Sequence, residues 1–349
     1  MKVLFGVFDW GLGHATRDLP LIKGLLNEGH KVDIISTGRA LQVLKTAFKD
    51  KCRYFDVPSV YAPYAKTRFF YTPKFSFYIP KMLIELNKAR KLSGNIIKKG
   101  HYDRIISDCR YDVYDKPENS FLINHQLKFK SKMFEFATEQ YLAGNMKKYG
   151  CVIVPDFDRQ ELTGELSKNK LYLGNVAYIG ILSQVKKMKV KEDIDYFFSI
   201  SGPEPQRTIL QKEILRQIKG LKGRIVVALG TPDVKKTGKF KNVEINGYFN
   251  PKKQEEIMNR AKCVVSRSGY TTVMELAELE KKNVLFIPTP GQTEQEYLAD
   301  LYTERGFFNH VHQEELNLKE ALNNMKIFSG FSPRWKTEES VKRFLELIR

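Results

Sequence analysis

The feature that most constrains the fold is a strand–helix–strand pattern at the start of the chain. Residues 3–8 form a continuous apolar run, which is typical of a strand covered on both faces. A glycine loop, a helical spacing of apolar residues between Leu19 and Leu26, and a second apolar run at 32–35 follow it. This pattern predicts parallel strands joined by a right-handed crossover.

The same scheme recurs in the second half of the chain. Apolar runs at 104–107 and 151–154 extend the first set of strands, and runs at 196–201, 224–229, 263–265 and 284–287 form a second set. We therefore predict an α/β chain of two doubly wound, Rossmann-like domains, residues 1–182 and 183–335. A terminal helix at 336–349 is expected to pack back on the first domain. Ligands of such domains bind at the carboxyl ends of the strands, which we expect to line a central cleft.

Charge and cysteine content narrow the class of protein. The net charge is +18, so the surface attracts phosphorylated ligands, anionic membranes or nucleic acid, or is simply a solvated basic surface. The four cysteines contain no CxxC pair, which favours buried thiols in a reducing compartment. The chain shows neither a signal-peptide pattern nor an apolar run of membrane-spanning length. We expect a cytoplasmic protein, peripheral on the membrane at most.

The first candidate site is the loop after the first strand. Gly11 and Gly13 allow close approach of a ligand, or serve only a tight strand-to-helix connection. His14 opens the helix, where the dipole disfavours the imidazolium and lowers its pKa. A neutral imidazole there suits a general base, although it could instead only cap the helix. Asp108, at the end of a later strand, is expected near the same edge.

Two more candidate sites follow strands in the second half. Ser268 and Gly269 would open a helix whose N–H groups can hold a diphosphate. Glu275 lies two turns into that helix and could accept hydrogen bonds from a ribose, unless it is an ordinary exposed glutamate. Gln292 and Glu294 lie in a loop whose amide and carboxylate groups suit sugar hydroxyls, or form a plain polar loop.

These motifs resemble the family 28 glycosyltransferases, which have the GT-B fold. In that family a serine-glycine pair, a threonine and a glutamate open the donor-binding helix, and Ser268, Gly269, Thr272 and Glu275 match them. The resemblance implies that Glu275 binds the ribose of a UDP-sugar. It also implies that the histidine ending the N-terminal glycine loop is the base.

Other positions receive roles from the same resemblance. Glu294 and Gln295 would contact the donor sugar, and Phe249 would lie beside the uracil. Gly202 and Arg207 lie in the loop that is glycine-rich in the family. In related plant-type transferases an aspartate orients the base histidine, and Asp108 would take that role.

The sequence predicts no metal and no cofactor beyond the UDP-sugar co-substrate. Residues 156–158 and 193–195 both read DxD, a pattern that binds manganese in the other transferase fold. The resemblance to GT-B enzymes implies that metal is not needed. Helix N-termini and Arg207 would instead meet the charge of the leaving diphosphate.

Residues 61–99 alternate aromatic residues with lysine and arginine, and Glu85 is their only acid. Such a segment suits an anionic bilayer surface, a single-stranded nucleic acid, or a folded active-site flap with buried aromatics. We favour membrane contact over nucleic acid, and the flap remains open.

The predicted function is transfer of a hexose or N-acetylhexosamine from a UDP-sugar to an acceptor hydroxyl, with inversion. The acceptor could be lipid-linked, as part of a cell-envelope glycan. The alternatives are a UDP-sugar hydrolase or epimerase on the same fold, and a non-catalytic nucleotide-sugar or nucleic-acid binding protein.

Overall fold

The computed structural model describes residues 1–59, 68–128, 135–168, 174–231 and 237–349. The chain divides into two compact units. The first comprises most of the chain up to Gln184 together with Arg334–Arg349, and the second is mainly Val185–Pro333. Among the described residues, no helix combines the length and the apolar character that crossing a bilayer requires.

Eight of the described strands coincide with the apolar runs identified in the sequence, and six were not predicted. The described strands β1 to β7 of the first unit are Lys2–Val7, Lys31–Ser36, Cys52–Asp56, Arg104–Asp108, Ser120–Ile123, Cys151–Val154 and Val176–Tyr178. Those of the second unit, β8 to β14, are Ile194–Ser199, Ile225–Ala228, Thr237–Phe240, Val243–Asn246, Ala261–Ser266, Val284–Phe286 and Asn309–His310. The six that were not predicted are β3, β5, β7, β10, β11 and β14. The strand predicted at 196–201 is β8, which begins and ends two residues earlier. The chain leaves the sheet after Ser199 and turns at Gly202, which has a φ of +118°.

The helices lie between the strands, as expected for crossover connections. The described α-helices α1 to α10 are Gly13–Asn27, Gly38–Phe48, Arg68–Gly100, Glu135–Met146, Gln206–Gln217, Pro251–Arg260, Tyr270–Glu278, Thr293–Glu304, Leu318–Asn324 and Thr337–Leu347. The basic aromatic segment contributes to α3, but its aromatic residues between Phe69 and Tyr78 lie outside the side chains that the structure describes.

The first sheet is parallel and has the strand order β3-β2-β1-β4-β5-β6-β7. Its central strands β1 and β4 are largely buried, as expected for strands covered by helices on both faces. Leu4, Ile35 and Ile105 from these strands pack with Ala89 and Ile97 of α3. The order of the strands reverses between β1 and β4, and this switch point is where a doubly wound sheet binds its ligand.

The C-terminal helix α10 belongs to the first unit. It packs on α1, and the Arg104 Nε donates to the carbonyl of Ile348 at 2.6 Å. Just before α10, the indole of Trp335 donates to the carbonyl of Ile179 at 2.9 Å. The helix that carries His14 is therefore covered by the end of the chain.

The second sheet has the order β10-β11-β9-β8-β12-β13-β14. Only the pairing of β10 with β11 is antiparallel among its described strands. The strand order reverses at β8, which lies between β9 and β12. Both sheets with their covering helices make this a two-unit, Rossmann-like α/β protein, as the sequence predicted.

Candidate active site

The fold brings His14 and Asp108 together at the switch point of the first sheet. Strands β1 and β4 are parallel neighbours, with Val7 paired to Asp108. The chain leaves β1, turns through Gly11, which has a φ of +79°, and starts α1 at Gly13. The first turn of α1 thereby places the ring of His14 beside the carboxylate that ends β4.

A hydrogen bond fixes the protonation of the His14 ring. Its Nδ1 lies 2.9 Å from Oδ2 of Asp108, and a carboxylate can only accept, so Nδ1 carries the hydrogen. The Arg17 Nη2 lies 3.0 Å from the same Nδ1, because both groups converge on Asp108. Nε2 then holds the lone pair, and none of the described residues hydrogen-bonds to it. This is the tautomer that can accept a proton from a substrate.

The surroundings keep His14 neutral. Burial lowers its pKa, the Asp108 carboxylate raises it, and the Arg17 guanidinium lowers it again. The direction matches the sequence prediction, but burial of a side chain that is only 16% exposed is the main cause, rather than the helix dipole. Although burial opposes ionisation of Asp108, Arg17 and His14 hold the pKa of that carboxyl far below its usual range.

The sequence interpretation missed Arg17 as a member of the site. Its side chain is buried, and Nε donates to Asp108 Oδ2 at 3.1 Å while Nη2 donates to Oδ1. Nη1 donates to Nδ1 of His125 at 3.1 Å. His125 directly follows β5, and a polar residue just after a strand at this edge is the signal that could have identified His125 in the sequence. The three residues Arg17, Asp108 and His125 hold the position and charge of the base.

Asp18 is the second missed residue. Its carboxyl is fully buried, and neither oxygen has a hydrogen-bond partner among the described residues. Burial, and then the charge of Asp108, raise its pKa well above the usual value. Burial and the neighbouring negative charge both favour the protonated form of Asp18, whereas Arg17 and His14 favour the ionised form of Asp108.

In the second unit, the predicted donor residues cluster at the switch point of the second sheet. Helix α7 begins just after β12, and no side chain caps its N-terminus at Gly269. The hydroxyl of Ser268 donates to the carbonyl of Gln295 at 2.7 Å. The side-chain oxygen of Gln295 accepts from the backbone N–H of Thr289 at 2.9 Å. The second and third candidate sites are therefore one site.

Gly202 belongs to the same cluster. A Cβ on it would lie 3.4 Å from Oγ1 of Thr289, so the bare backbone leaves space at this edge. That buried Thr289 hydroxyl has no hydrogen-bond partner among the described residues. A buried hydroxyl without a partner next to an uncapped helix N-terminus is an arrangement that a polar ligand would complete.

The buried side chain of Arg267 hydrogen-bonds to several loops at this edge of the second sheet. Its Nη1 donates to the carbonyls of Ile287 and Pro288, both at 2.9 Å, and its Nη2 donates to the side chain of Gln313 at 2.7 Å. Nε donates to the carbonyl of Ser201 at 3.3 Å. Burial lowers the pKa of Arg267 to about 10. One guanidinium thus fixes the loops after β8, β12 and β13.

The other residues predicted to bind the sugar nucleotide differ in their burial and position. Glu275 is buried, so the alternative of an ordinary exposed glutamate is wrong. Thr272 is half-buried on the first turn of the same helix. Phe249 is buried, with its ring 6.5 Å from that of Phe197. Gln292 precedes α8 as its N-cap residue.

Arg207 and Glu294 complete the predicted set. Glu294 is half-buried in the first turn of α8. The guanidinium of Arg207 donates to Glu204 Oε1 at 2.7 Å, to Gln211 Oε1 at 2.7 Å and to the carbonyl of Leu229 at 2.9 Å. Its donors serve the protein itself, so a diphosphate would have to displace these partners.

Both DxD sequences serve intramolecular contacts. Asp156 is fully buried and accepts from the backbone N–H groups of Phe157 and Thr163. Asp158 pairs with Arg334 at 2.7 Å. Asp193 and Asp195 form ion pairs with basic residues of the second unit, of which Arg260 and Lys262 lie 2.7 and 2.8 Å away.

Two family models match parts of the sequence. Residues 207–342 match the model of the glycosyltransferase family 28 C-terminal domain, and residues 1–68 match that of glycosyl transferase family 1. No curated protein matches the chain.

The fold is shared with solved glycosyltransferases. The glycotransferase of kitacinnamycin is 13% identical, with a TM-score of 0.65 over 99% of this chain and 97% of that one. MurG from Acinetobacter baumannii is 12% identical, with a TM-score of 0.60 over 99% of this chain and 98% of that one. A protein described as a UDP-N-acetylglucosamine 2-epimerase from Listeria monocytogenes is 12% identical, with a TM-score of 0.59 over 99% and 95%. The two sheets and these solved structures show that the chain has the GT-B fold, and its residues 207–342 match the family 28 C-terminal domain.

Proposed function

We propose that this protein transfers a sugar from a UDP-sugar to an acceptor hydroxyl, with inversion at the anomeric carbon. His14 Nε2 removes the hydroxyl proton while the acceptor oxygen attacks the anomeric carbon. The bond between that carbon and the diphosphate oxygen breaks, and UDP leaves with its electrons. The imidazolium then formed is stabilised by the Asp108 carboxylate through Nδ1–H.

The observation that carries this proposal is the hydrogen bond between His14 Nδ1 and Asp108 at 2.9 Å. It leaves Nε2 as a lone-pair nitrogen on a ring whose pKa burial lowers, which is what a base working near neutral pH requires. A histidine that only capped the helix would need neither a buried carboxylate nor the Arg17 that pairs with it.

For the donor, we propose that the N-terminus of α7 at Ser268 and Gly269 binds the diphosphate and that Glu275 binds the ribose. The uncapped helix N-terminus and the unpartnered hydroxyl of Thr289 support this assignment. Glu294 and Gln295 would then contact the sugar. Because the acidic groups of both DxD sequences are bound to other parts of the protein, we propose that the diphosphate is stabilised without a metal ion.

The proposal for the acceptor rests on the net charge of the protein and on its basic aromatic segment. With a net charge of +18 and the basic aromatic segment 61–99, we propose a lipid-linked or otherwise membrane-associated acceptor on an anionic surface.

A thermal-shift screen tests the donor class. UDP and UDP-sugars should raise the melting temperature, because a ligand that binds only the native state stabilises it, while adenosine and guanosine diphosphates should not. A shift of equal size with every nucleoside diphosphate, or with none, would contradict the proposal.

A UDP-sugar epimerase is the second candidate, favoured by the fold that the chain shares with the Listeria protein. Incubation with a UDP-sugar and no acceptor separates the two. An epimerase converts the sugar nucleotide to its isomer, whereas a transferase leaves it intact or releases UDP slowly to water.

A further inference from the structure

Helix α8, the edge strand β14 and the residues just after it bring two histidines and an aspartate together. The His310 Nε2 lies 3.1 Å from Oδ1 of Asp300, and the rings of His310 and His312 are 5.4 Å apart between centroids, at 88°. One ligand atom from each of the three residues lies within 4.8 Å of the others. All three belong to the second unit.

The hydrogen bonds behind His310 fix which nitrogen is available. The hydroxyl of Thr303 donates its hydrogen to the carbonyl of Phe308 at 2.9 Å. The same oxygen lies 2.7 Å from Nδ1 of His310, so it must accept there and Nδ1 must carry the hydrogen. Nε2 is therefore the nitrogen directed at the Asp300 carboxylate.

A lone pair and a carboxylate oxygen 3.1 Å apart repel each other unless a cation lies between them. A proton on Nε2 would satisfy His310 and Asp300 but would leave the second imidazole unused. A metal ion uses all three groups, and a ligating histidine whose other nitrogen donates to a fixed oxygen is the usual arrangement.

We propose that Asp300, His310 and His312 form a binding site for a divalent transition metal of the zinc type. Two imidazole nitrogens and one carboxylate oxygen are ligands that zinc accepts at about 2.0–2.2 Å, with a water molecule completing a tetrahedron. Asp300 is 52% exposed, so its carboxylate can rotate to close the remaining distance. The site would tie α8 to the last strand of the sheet, and it does not depend on the proposed transferase activity.

Isothermal titration of zinc chloride into chelator-treated, untagged protein tests the site. We expect one zinc ion per chain. His312→Ala and Asp300→Asn should each weaken binding at least about 10-fold. Thr303→Val removes only the hydroxyl behind His310, and loss of such a partner typically costs about 10–100-fold in affinity. Melting temperatures of the metal-free variants confirm that each is folded.

His30→Ala is the matched control. That histidine also faces a carboxylate, with Nε2 3.4 Å from Glu28, but its residues form no three-ligand cluster within the described part of the chain. It should bind zinc like the wild type. The proposal is overturned if no stoichiometric binding occurs, or if the folded His312→Ala variant binds as tightly as wild type. It is also overturned if His14→Ala abolishes binding instead, because the ion would then occupy the cluster around Asp108.

Discussion

Replacing His14 with alanine separates a catalytic from a structural role. The change removes the proposed base but leaves Asp108 bonded to Arg17 through two nitrogens. The buried carboxylate therefore stays paired, and the cost is one hydrogen bond on a side chain that is 16% exposed. We expect a loss of about 1–2 kcal/mol and a fall of about 2–8 °C in melting temperature.

The effect on turnover should be far larger. General-base catalysis contributes about 10²–10⁴-fold, so turnover of the folded variant should fall by that factor. Affinity for UDP should remain unchanged, because the residues proposed to bind the nucleotide are on the second unit. UDP release from the UDP-sugar that gives the largest thermal shift, UDP titration calorimetry and thermal melting should be measured on one preparation. Turnover per folded molecule within a few-fold of wild type would refute the reasoning.

Three further substitutions and one binding assay test other parts of the structure. Asp108→Asn leaves the buried guanidinium of Arg17 without a carboxylate and should cost about 3–5 kcal/mol in urea unfolding, clearly more than His14→Ala; an equal cost would contradict the pairing. The pKa of Asp18 is raised in the folded state, so as pH rises above about 4 the unfolded chain releases this proton while the folded chain still holds it. The free energy of unfolding of the wild type should therefore fall relative to that of Asp18→Asn between about pH 4 and 8. A stability difference that does not change with pH would show that Asp18 is not held protonated. Glu275→Ala should weaken UDP binding by about 1–3 kcal/mol in calorimetry while Glu278→Ala on the same helix does not; equal affinities remove Glu275 from the site. Cosedimentation should show binding to vesicles rich in anionic lipid that falls with added salt, and no binding at low salt would favour the buried-flap interpretation of residues 61–99.

Much of the fold could be predicted because its strands are buried on both faces. Continuous apolar runs such as 3–8 and 151–154 are typical of buried parallel strands. The loop after β1 lies at the carboxyl end of its strand, which is where a doubly wound sheet binds ligands. The pairing of His14 with Asp108 could be anticipated for the same reason, since each residue follows or ends a neighbouring strand at one edge.

What could not be predicted depends on tertiary packing. Arg17 and Asp18 are adjacent charged residues on a helix, and such residues usually face solvent, so nothing local shows that both are buried. Arg207 had the right charge for a diphosphate, but its contacts with Glu204 and Leu229 depend on how α5 packs on β9. The cluster around His310 needs Asp300 from a helix ten residues earlier.

The way Arg267 is bonded has a consequence for redesign of this protein. Most of its bonds go to backbone carbonyls, which every amino acid provides, so side chains in the loops after β8 and β13 can be exchanged without removing those bonds. If the proposed donor site is right, a library that varies Gln292 and Glu294 should change which sugar nucleotide binds. Arg267 itself should be kept constant, because lysine cannot reproduce a planar fork of five donors.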